Sequence, residues 1–599
     1  MSPDQGRTES KNSVRRPSRT RSDAHAKARP RSAGAPVAEP EPPSGAPGLR
    51  GGFDILVTDA PIRSTFLAPA PAAKAAFSLA RRPARVTRRL GGLAGELAAT
   101  VAGVSPRAPS PKDRRFADPA WRHSWLFRRV VQAYLAARAT ADDLISDAEL
   151  DWAAEEELRF AVENVADALA PTNFPWSNPA ALKVAIDYGG ANLLAGARNL
   201  LRDMSTSPRI PASVDTSKFT VGVNIAMTPG SVVHRTEVFE LIQYAPTTDT
   251  VRQVPIMIIP PTINKYYAWD LSPGRSIIEW FTAQGMQVFT ISWRNPDAEQ
   301  AHFNLDTYAG ACVEAGRVVE EISGADSLHV TAACSGGQIA AATVGHLVAS
   351  GRLGHVASLG LFVCALDRPE EGVIGAVTTR EAAAAAVAAS AAKGYVDGRA
   401  LAEIFAWLRP NDMIWNYWVN NYLLGAPPPA FDILYWNQDS IRMAAGLHGD
   451  MIRVAVENSM RVSGGLTVLG TPIDLASADV PTYVLAGETD HIVPWQNAYR
   501  ATQMLGGTAR FVLVNSGHIQ ALVNPPDPKT RRAYRIADAA PASPDEWLAA
   551  AAEHKGSWWP DYLAWLEPRS GELKPRPKTL GSKEHKPLAD APGTYVLAS

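Results

Sequence analysis

The sequence predicts an α/β protein with a doubly wound, mostly parallel sheet and a helical N-terminal domain. Three observations predict it. Buried-strand and helix patterns alternate between residues 254 and 514, which is typical of parallel βαβ units. A sharp turn of small residues joins a strand to a helix at Leu328–Gly337. Two loops that follow later strands carry Asp490 and His518.

The composition indicates an ordinary globular chain of 599 residues, 46% hydrophobic and 20% charged, with a formal net charge of −1. This charge balance gives no reason to expect a nucleic-acid partner. Three cysteines without metal-ligand spacing predict neither a disulfide framework nor a metal site, and they suit the cytoplasm. No apolar run is long enough for a transmembrane segment, and no signal peptide is recognisable.

The N-terminal part divides into a tail and a helical domain. Residues 1–70 are basic and rich in Pro, Ser and Ala, which predicts disorder. Helical periodicity predicts a domain over residues 71–215. Its first helical stretch, near residues 72–104, is basic and is interrupted by Pro83. This stretch fits a solvated helix that packs one apolar stripe, or an amphipathic helix that binds a surface.

Residues 216–599 are predicted to form the catalytic domain. Its alternation stops between about residues 369 and 471, where an alanine-rich helix precedes an aromatic block from Trp407 to Trp436 without a strand signal. We expect this insertion to be a helical cap over the site. The predicted strands are 221–225, 231–235, 238–244, 254–259, 288–293, 328–331, 357–364, 482–485 and 510–514.

The turn at Cys334 has the form of a nucleophile elbow, the strand–turn–helix unit of α/β-hydrolases. Its neighbours Ala332 and Gly336 are small, as a strained turn requires because it cannot accommodate bulk two residues to either side. The alternative is a buried structural cysteine at an Ala/Gly-rich helix start. This stretch alone leaves both interpretations open, so a base and its orienting acid must be found elsewhere in the chain.

Cys334, Asp490 and His518 follow the chain order nucleophile, acid, histidine of α/β-hydrolases. Asp490 and His518 each follow a predicted strand, at the sheet edge where ligands gather. Near pH 7 a free thiol is mostly protonated, so an adjacent imidazole must take its proton. We therefore predict Cys334 as the nucleophile, His518 as the base and Asp490 as the group that fixes the histidine tautomer.

Two backbone N–H groups are predicted to form an oxyanion hole: Ser335 on the elbow and Ile263 in the loop after the 254–259 strand. His491 is rejected as the base because it lies a strand–helix unit before His518. Three further candidates lie within apolar helix or strand patterns and are predicted to be packed core residues: Cys312, Cys364 and His329.

From about residue 77 to the C-terminus the sequence resembles the polyhydroxyalkanoate synthases. In the resemblance, the nucleophile, acid and histidine of the family fall on Cys334, Asp490 and His518. The class II, medium-chain-length branch is the most similar, within the long-chain class I/II type. The matching segments are Arg115–Trp121, Pro261–Tyr267, Ser292–Asp297, Asn416–Leu423, Phe431–Asn437, Asp490–Trp495, Ser516–Gln520, Ser557–Pro560 and Pro592–Val596.

The resemblance implies an acyltransferase that polymerises (R)-3-hydroxyacyl-CoA into polyester and releases CoA. It implies no cofactor, a homodimer and a place at the surface of polymer granules in the cytoplasm. Two alternatives are a cysteine hydrolase of the same fold, such as a polyester depolymerase or esterase, and a non-catalytic granule-associated protein. Either His518 or Asp490 could activate the hydroxyl of the growing chain.

Overall fold

A computed structural model describes residues 68–205, 209–367 and 380–598. The predicted disordered tail, residues 1–70, lies outside these residues except for its last three positions. Position 69 already begins a helix. Within the described ranges, no helix combines the length and apolar character needed to cross a membrane.

The first part of the described chain is helical, as the periodicity predicted. The helices begin where the local sequence favours it: proline occupies the first turn of α1 and α2, and the Asp151 carboxylate caps α5 by accepting the Ala154 N–H at 3.0 Å. The domain boundary near residue 215 stays a prediction. The helices are α1 Pro69–Ala80, α2 Pro83–Ala102, α3 Ala120–His123, α4 Trp125–Asp147, α5 Trp152–Ala168, α6 Pro179–Asp187 and α7 Ala191–Met204.

Helix α2 contacts α4 through ion pairs. The Arg89 guanidinium pairs with Asp143 at 2.8 Å and with Asp147 at 2.7 Å. Leu90 and Leu97 are exposed instead. The prediction of a helix that packs its apolar stripe on the domain is therefore wrong for these leucines, because ion pairs with α4 occupy the contact face.

The sheet has eleven strands among the described residues, in the order β10-β9-β8-β7-β6-β5-β3-β4-β2-β1-β11. Strands β3 to β8 are parallel, and the flanking strands are antiparallel. The predicted doubly wound, mostly parallel sheet is confirmed. The strands are β1 Gly230–Arg235, β2 Phe239–Tyr244, β3 Ile256–Ile259, β4 Val288–Trp293, β5 Leu328–Ala333, β6 Val356–Phe362, β7 Thr482–Gly487, β8 Ala509–Val514, β9 Ala533–Ile536, β10 Ala552–Lys555 and β11 Ala589–Asp590.

Helices cover both faces of the sheet, so its central strands are buried throughout. One apolar cluster lies beneath the helices Leu305–Ser323 and Ser335–Ala349, and the other beneath the helices Ile277–Ala283 and Trp559–Leu566. The helices outside the insertion are α8 Ile277–Ala283, α9 Leu305–Ser323, α10 Ser335–Ala349, α16 Trp495–Met504, α17 His518–Leu522, α18 Pro544–Ala550 and α19 Trp559–Leu566.

The insertion between β6 and β7 is largely helical. Its aromatic block carries π-helical turns at Asn411–Trp415 and Val419–Leu423 on either side of the short α13. The predicted cap limits near residues 369 and 471 stay predictions, and residues 368–379 lie outside the described ranges. The helices are α11 Arg380–Lys393, α12 Gly398–Leu408, α13 Asn416–Trp418, α14 Asp432–Gln438 and α15 Ala445–Glu457.

Two strand predictions are wrong. The stretch 221–225 forms a turn with one isolated bridge between its ends, because the Asn224 side chain binds the backbone of Thr220 and Lys218 and closes the loop. The insertion does contain short strands: Tyr395–Val396 pairs with Met443–Ala444. Two-residue strands are too short to leave a periodic signal in the sequence.

Candidate active site

Cys334 occupies a strained turn between β5 and α10. Its backbone has φ 50° and ψ −127°, a region that is costly for a residue with a side chain and that persists where the surroundings enforce it. Gly336 is required because the turn is tight: a Cβ atom there would lie 2.5 Å from the Pro260 carbonyl oxygen. This geometry is that of the predicted nucleophile elbow, with a partly exposed thiol at its apex.

The loops after β7 and β8 bring Asp490 and His518 together. The imidazole Nδ1 lies 2.6 Å from the Asp490 Oδ2 atom, and both side chains are buried. The second carboxylate oxygen accepts the N–H groups of Ile492 at 2.9 Å and Val493 at 3.0 Å. The remaining ring nitrogen of His518 is left for Cys334, which lines the same cavity.

The two histidines of this region have opposite electrostatic surroundings. Burial lowers the pKa of His518, but the charge and hydrogen bond of Asp490 and the contact with Cys334 outweigh burial and raise it to about 10. Burial, with the nearby Arg409 guanidinium, lowers the pKa of His491 to about 4. His518 is therefore the stronger base of the two, and its protonated form is stabilised, whereas a neutral imidazole is favoured at His491.

The two predicted oxyanion donors lie at the elbow and in the loop after β3. Ser335 begins α10, where the first N–H groups have no acceptor within the helix. The Ser335 hydroxyl accepts the Thr262 N–H at 3.0 Å, and the two hydroxyls lie 3.1 Å apart. The Ile263 carbonyl accepts the Ile441 N–H at 3.1 Å. The contacts of Thr262 hold the loop that carries Ile263 against the elbow, and the Ile441 bond holds it against the insertion.

A cavity of about 190 Å³ opens in front of Cys334. The loop after β3, the loops after β7 and β8, and the insertion all contribute to it, so the insertion covers the thiol as a cap would. The lining residues are Pro261, Ile263, Asn264, Cys334, Arg409, Asp412, Met413, Phe431, Ile433, Leu434, Trp436, Asn437, His491, Ile492, Gly517, His518, Ile519 and Gln520.

Three residues outside the predicted set also contribute to the site. His491 lines the same cavity as Cys334, with a buried Nδ1 that has no hydrogen-bond partner among the described residues. Arg409 reaches the site from the insertion, which no spacing could predict. Thr262 ties the loop after β3 to the elbow, and its only sequence signal was its place in the matching segment Pro261–Tyr267.

The other candidates are core residues, as predicted. Burial raises the pKa of the Cys312 thiol to about 12, and Cys364 is buried as well. His329 contacts the hydroxyls of Ser358 at 2.8 Å and Ser570 at 3.1 Å. Burial lowers its pKa to about 3. In the described part of the chain, no three His, Cys, Asp or Glu side chains are grouped to hold a metal ion.

A cysteine on a strand–helix turn of this sheet, next to a histidine–aspartate pair, defines a protein of the α/β-hydrolase fold with a thiol at its centre. The family model described as "alpha/beta hydrolase fold" matches residues 255–525. The model described as "Poly-beta-hydroxybutyrate polymerase (PhaC) N-terminus" matches residues 112–281. The predicted fold class is confirmed.

Curated relatives match over most of their length. "Poly(3-hydroxyalkanoate) polymerase 2" of Ectopseudomonas oleovorans is 43% identical, over 86% of this chain and 92% of the relative. "Poly(3-hydroxyalkanoate) polymerase subunit PhaC" of Cupriavidus necator is 41% identical, over 81% of this chain and 83% of the relative. The solved structure of a metagenome-derived lipolytic enzyme is similar over 46% of this chain and 89% of the enzyme's chain. The two share 17% sequence identity, and the TM-score is 0.28. The chain belongs to the poly(3-hydroxyalkanoate) polymerases.

Proposed function

We propose that this enzyme is an acyltransferase that polymerises (R)-3-hydroxyacyl-CoA into a polyester and releases CoA. The observation that carries the proposal is the 43% identity to a polymerase over 92% of that relative, together with a thiol at the elbow. The proposed site consists of Cys334, His518 and Asp490, with the backbone N–H groups of Ser335 and Ile263. The chemistry needs no cofactor, because the CoA thioester is itself the activated substrate.

The first half-reaction loads the enzyme. His518 takes the Cys334 proton, and the thiolate attacks the thioester carbonyl carbon. The N–H groups of Ser335 and Ile263 stabilise the oxyanion of the tetrahedral intermediate. As this intermediate collapses, the bond to the CoA sulfur breaks, and the imidazolium returns the proton to the leaving sulfur. Free CoA and an acyl-cysteine thioester are the products.

The second half-reaction lengthens the chain. The 3-hydroxyl of the acyl-cysteine attacks the carbonyl of a second thioester, so that one ester bond forms while one thioester bond breaks. Both oxygens of Asp490 already accept hydrogen bonds, and its side chain is fully buried. This arrangement favours His518 as the group that takes the hydroxyl proton and delivers it to the departing CoA.

The aromatic cap supports polymerisation over hydrolysis. An acyl-enzyme must survive until the next hydroxyl arrives, so water has to be kept from it. Apolar side chains of the insertion, including Met413, Phe431, Leu434 and Trp436, line the cavity at Cys334. We propose that they exclude water and accept the alkyl side chain of the monomer, which we propose is of medium length because the sequence resembles the class II branch most.

The remaining proposals concern the surroundings of the enzyme. We propose that it works as a homodimer in the cytoplasm, at the surface of the polymer granules that it makes. Exposed apolar side chains on α1 and α2, among them Phe77, Leu90 and Val101, support contact with an apolar polymer. Light scattering of the purified enzyme with and without substrate tests the dimer.

A product assay tests the proposed reaction. Purified enzyme is mixed with 3-hydroxyacyl-CoA of short and medium chain length, and both CoA release and polymer are measured. We expect CoA release with polyester formation, faster for the medium-chain substrate. Release of CoA with free hydroxy acid as the sole product would indicate the hydrolase alternative, and no release with any substrate would indicate a non-catalytic protein.

A further inference from the structure

A second cavity lies behind the elbow, and the proposed chemistry does not use it. It has a volume of about 250 Å³ and shares no lining residue with the cavity at Cys334. Helices α9 and α10 form its walls, and strands β3 and β5 form its floor. Its inner end is at Ile259, whose carbonyl oxygen lies against Gly336 of the elbow.

The interior of this cavity is apolar. Met257, Val330 and Val344 line it. It has two weakly polar side chains: the Thr343 hydroxyl already donates to the Ile339 carbonyl at 2.8 Å, and Cys312 carries a buried thiol. Water needs several polar partners, whereas apolar cavities of about 150 Å³ stay dry and take up small apolar molecules. The cavity therefore suits an apolar occupant.

The cavity is elongated along α10. Ala340 and Leu347 both line it, and seven helical residues span about 10 Å. Gly316 on α9 widens the opposite wall, because a Cβ atom there would meet only a Leu328 methyl group, at 3.5 Å. The shape fits one extended alkyl chain better than a compact or ring-shaped ligand.

The mouth of the cavity carries charged side chains, and most of these are paired with each other. Glu320 binds His355 at 2.8 Å, and Arg317 pairs with Glu321. Both carboxylates near the mouth are thus occupied by partners on the protein. Among the described residues, neither carboxylate pairs with Arg352, the other cation at the mouth.

Arg352 differs because its hydrogen-bond partners among the described residues are uncharged. Its guanidinium donates to the Ser350 hydroxyl at 3.2 Å and to the His346 Nε2 atom at 2.8 Å. The His346 Nδ1 atom lies 2.6 Å from the Thr471 hydroxyl, so the tautomer with a proton on Nδ1 satisfies both contacts. A guanidinium without a carboxylate partner is suited to bind an anionic group, in a charge-assisted hydrogen bond.

We propose that this cavity binds a medium-chain fatty carboxylate, with the alkyl chain along α10 and the carboxylate on Arg352. The volume and the apolar lining of the cavity fit the alkyl chain of this ligand. The Arg352 guanidinium at the mouth, which has no carboxylate partner among the described residues, fits its carboxylate. Since the inner end touches β3 and the elbow lies directly beyond it, the ligand occupies the side of the elbow opposite the substrate cavity.

Calorimetric titration of the full-length enzyme tests this proposal with two probes, octanoate and the uncharged octan-1-ol. We expect one octanoate per chain on the wild type. Gly316→Leu fills the cavity, so it should abolish binding of both probes at this site. Arg352→Gln should weaken octanoate about tenfold and leave octan-1-ol unchanged. Arg399→Gln, at an exposed position outside the mouth, is the matched control and should change neither.

Two results would overturn the proposal: no octanoate binding to the wild type, or equal octanoate binding in wild type and Gly316→Leu. The second would place the acid elsewhere, including in the cavity at Cys334. If Gly316→Leu does not fold, as judged by circular dichroism, Val344→Phe fills the same cavity from α10 and takes its place. Equal weakening of both probes by Arg352→Gln would contradict the assigned head-group site.

Discussion

The loops at the carboxyl edge of the sheet differ from the N-terminal helices in what they bury and what they expose. At the site, the buried carboxylate of Asp490 has a partner for each oxygen. The N-terminal helices and the turns between them expose many large apolar side chains, among them Phe77, Leu90, Val101, Trp125, Trp176, Ile186, Tyr188, Leu194 and Leu201. The buried charge of the site is thus satisfied within the chain, whereas the apolar side chains of the N-terminal region suit contact with another surface.

The largest expected effect is at the elbow. Cys334→Ala removes the nucleophile and should lower CoA release by about ten-thousandfold, measured in a steady-state thiol assay. Cys364→Ala is the matched control, since it deletes a buried thiol and should reduce stability by about 1 kcal/mol without stopping turnover. Equal losses in both variants would show that the site depends on general packing there.

The next largest effect is expected on the rate of acylation, and it should differ between the two histidines that line the cavity. His518→Gln removes the base and should slow acylation about a thousandfold, measured as single-turnover CoA release. His491→Gln should keep most of its turnover, because His491 does not bind the Asp490 carboxylate. A similar loss in both variants would mean that the base has been chosen wrongly.

A pH-dependent stability difference is expected from His518. Its pKa is raised to about 10 in the folded enzyme, above the unfolded value of about 6.5. A raised pKa contributes stability that is fully present below about pH 6.5 and is lost as the pH rises through about 10. Relative to His518→Gln, the wild type should therefore lose stability over this range, on the order of a few kcal/mol.

Urea unfolding of both proteins at the two ends of this pH range measures the difference. Other titrating groups are common to both proteins and cancel in the comparison. A difference that stays constant with pH would contradict the strong coupling of His518 to Asp490 and Cys334.

The smallest effect on chemistry is expected from the N-terminal helices. Removal of residues 1–110 deletes α1 and α2 and should weaken binding to granules more than it slows Cys334 acylation, because their exposed leucines are lost. Leu90→Gln with Leu97→Gln keeps the Arg89 ion pairs and should weaken granule binding alone.

The granule-bound fraction, measured beside single-turnover acylation, checks both outcomes. Removal of residues 1–50 is the control and should change neither quantity. If all these proteins bind granules like the full chain, α1 and α2 have no role at the polymer surface.

Much of this fold was predictable because strand periodicity is local. The strand Val288–Trp293 and the placement of Asp490 and His518 after strands both follow from short patterns. The direction in which α2 packs was not predictable, since it depends on acidic residues of α4 some fifty positions away. For the same reason no spacing could bring Arg409 of the insertion to the site.

Part of the elbow geometry depends on contacts between segments that are distant in the sequence, and this part could not be predicted. Small residues around Cys334 suggested a strained turn, but the reason for Gly336 is the Pro260 carbonyl, which only the folded chain brings near. The bond from Thr262 to Ser335 likewise joins two segments that no local pattern connects.

Trapping the acyl-enzyme tests whether Cys334 is the nucleophile. Wild-type enzyme is mixed with one equivalent of 3-hydroxyacyl-CoA, quenched in acid, digested and analysed by mass spectrometry. We expect the acyl mass to appear as a thioester on the peptide that contains Cys334, in step with CoA release, and to accumulate in no other peptide. Rapid CoA release with no adduct on Cys334, or with the adduct on another residue, would contradict it.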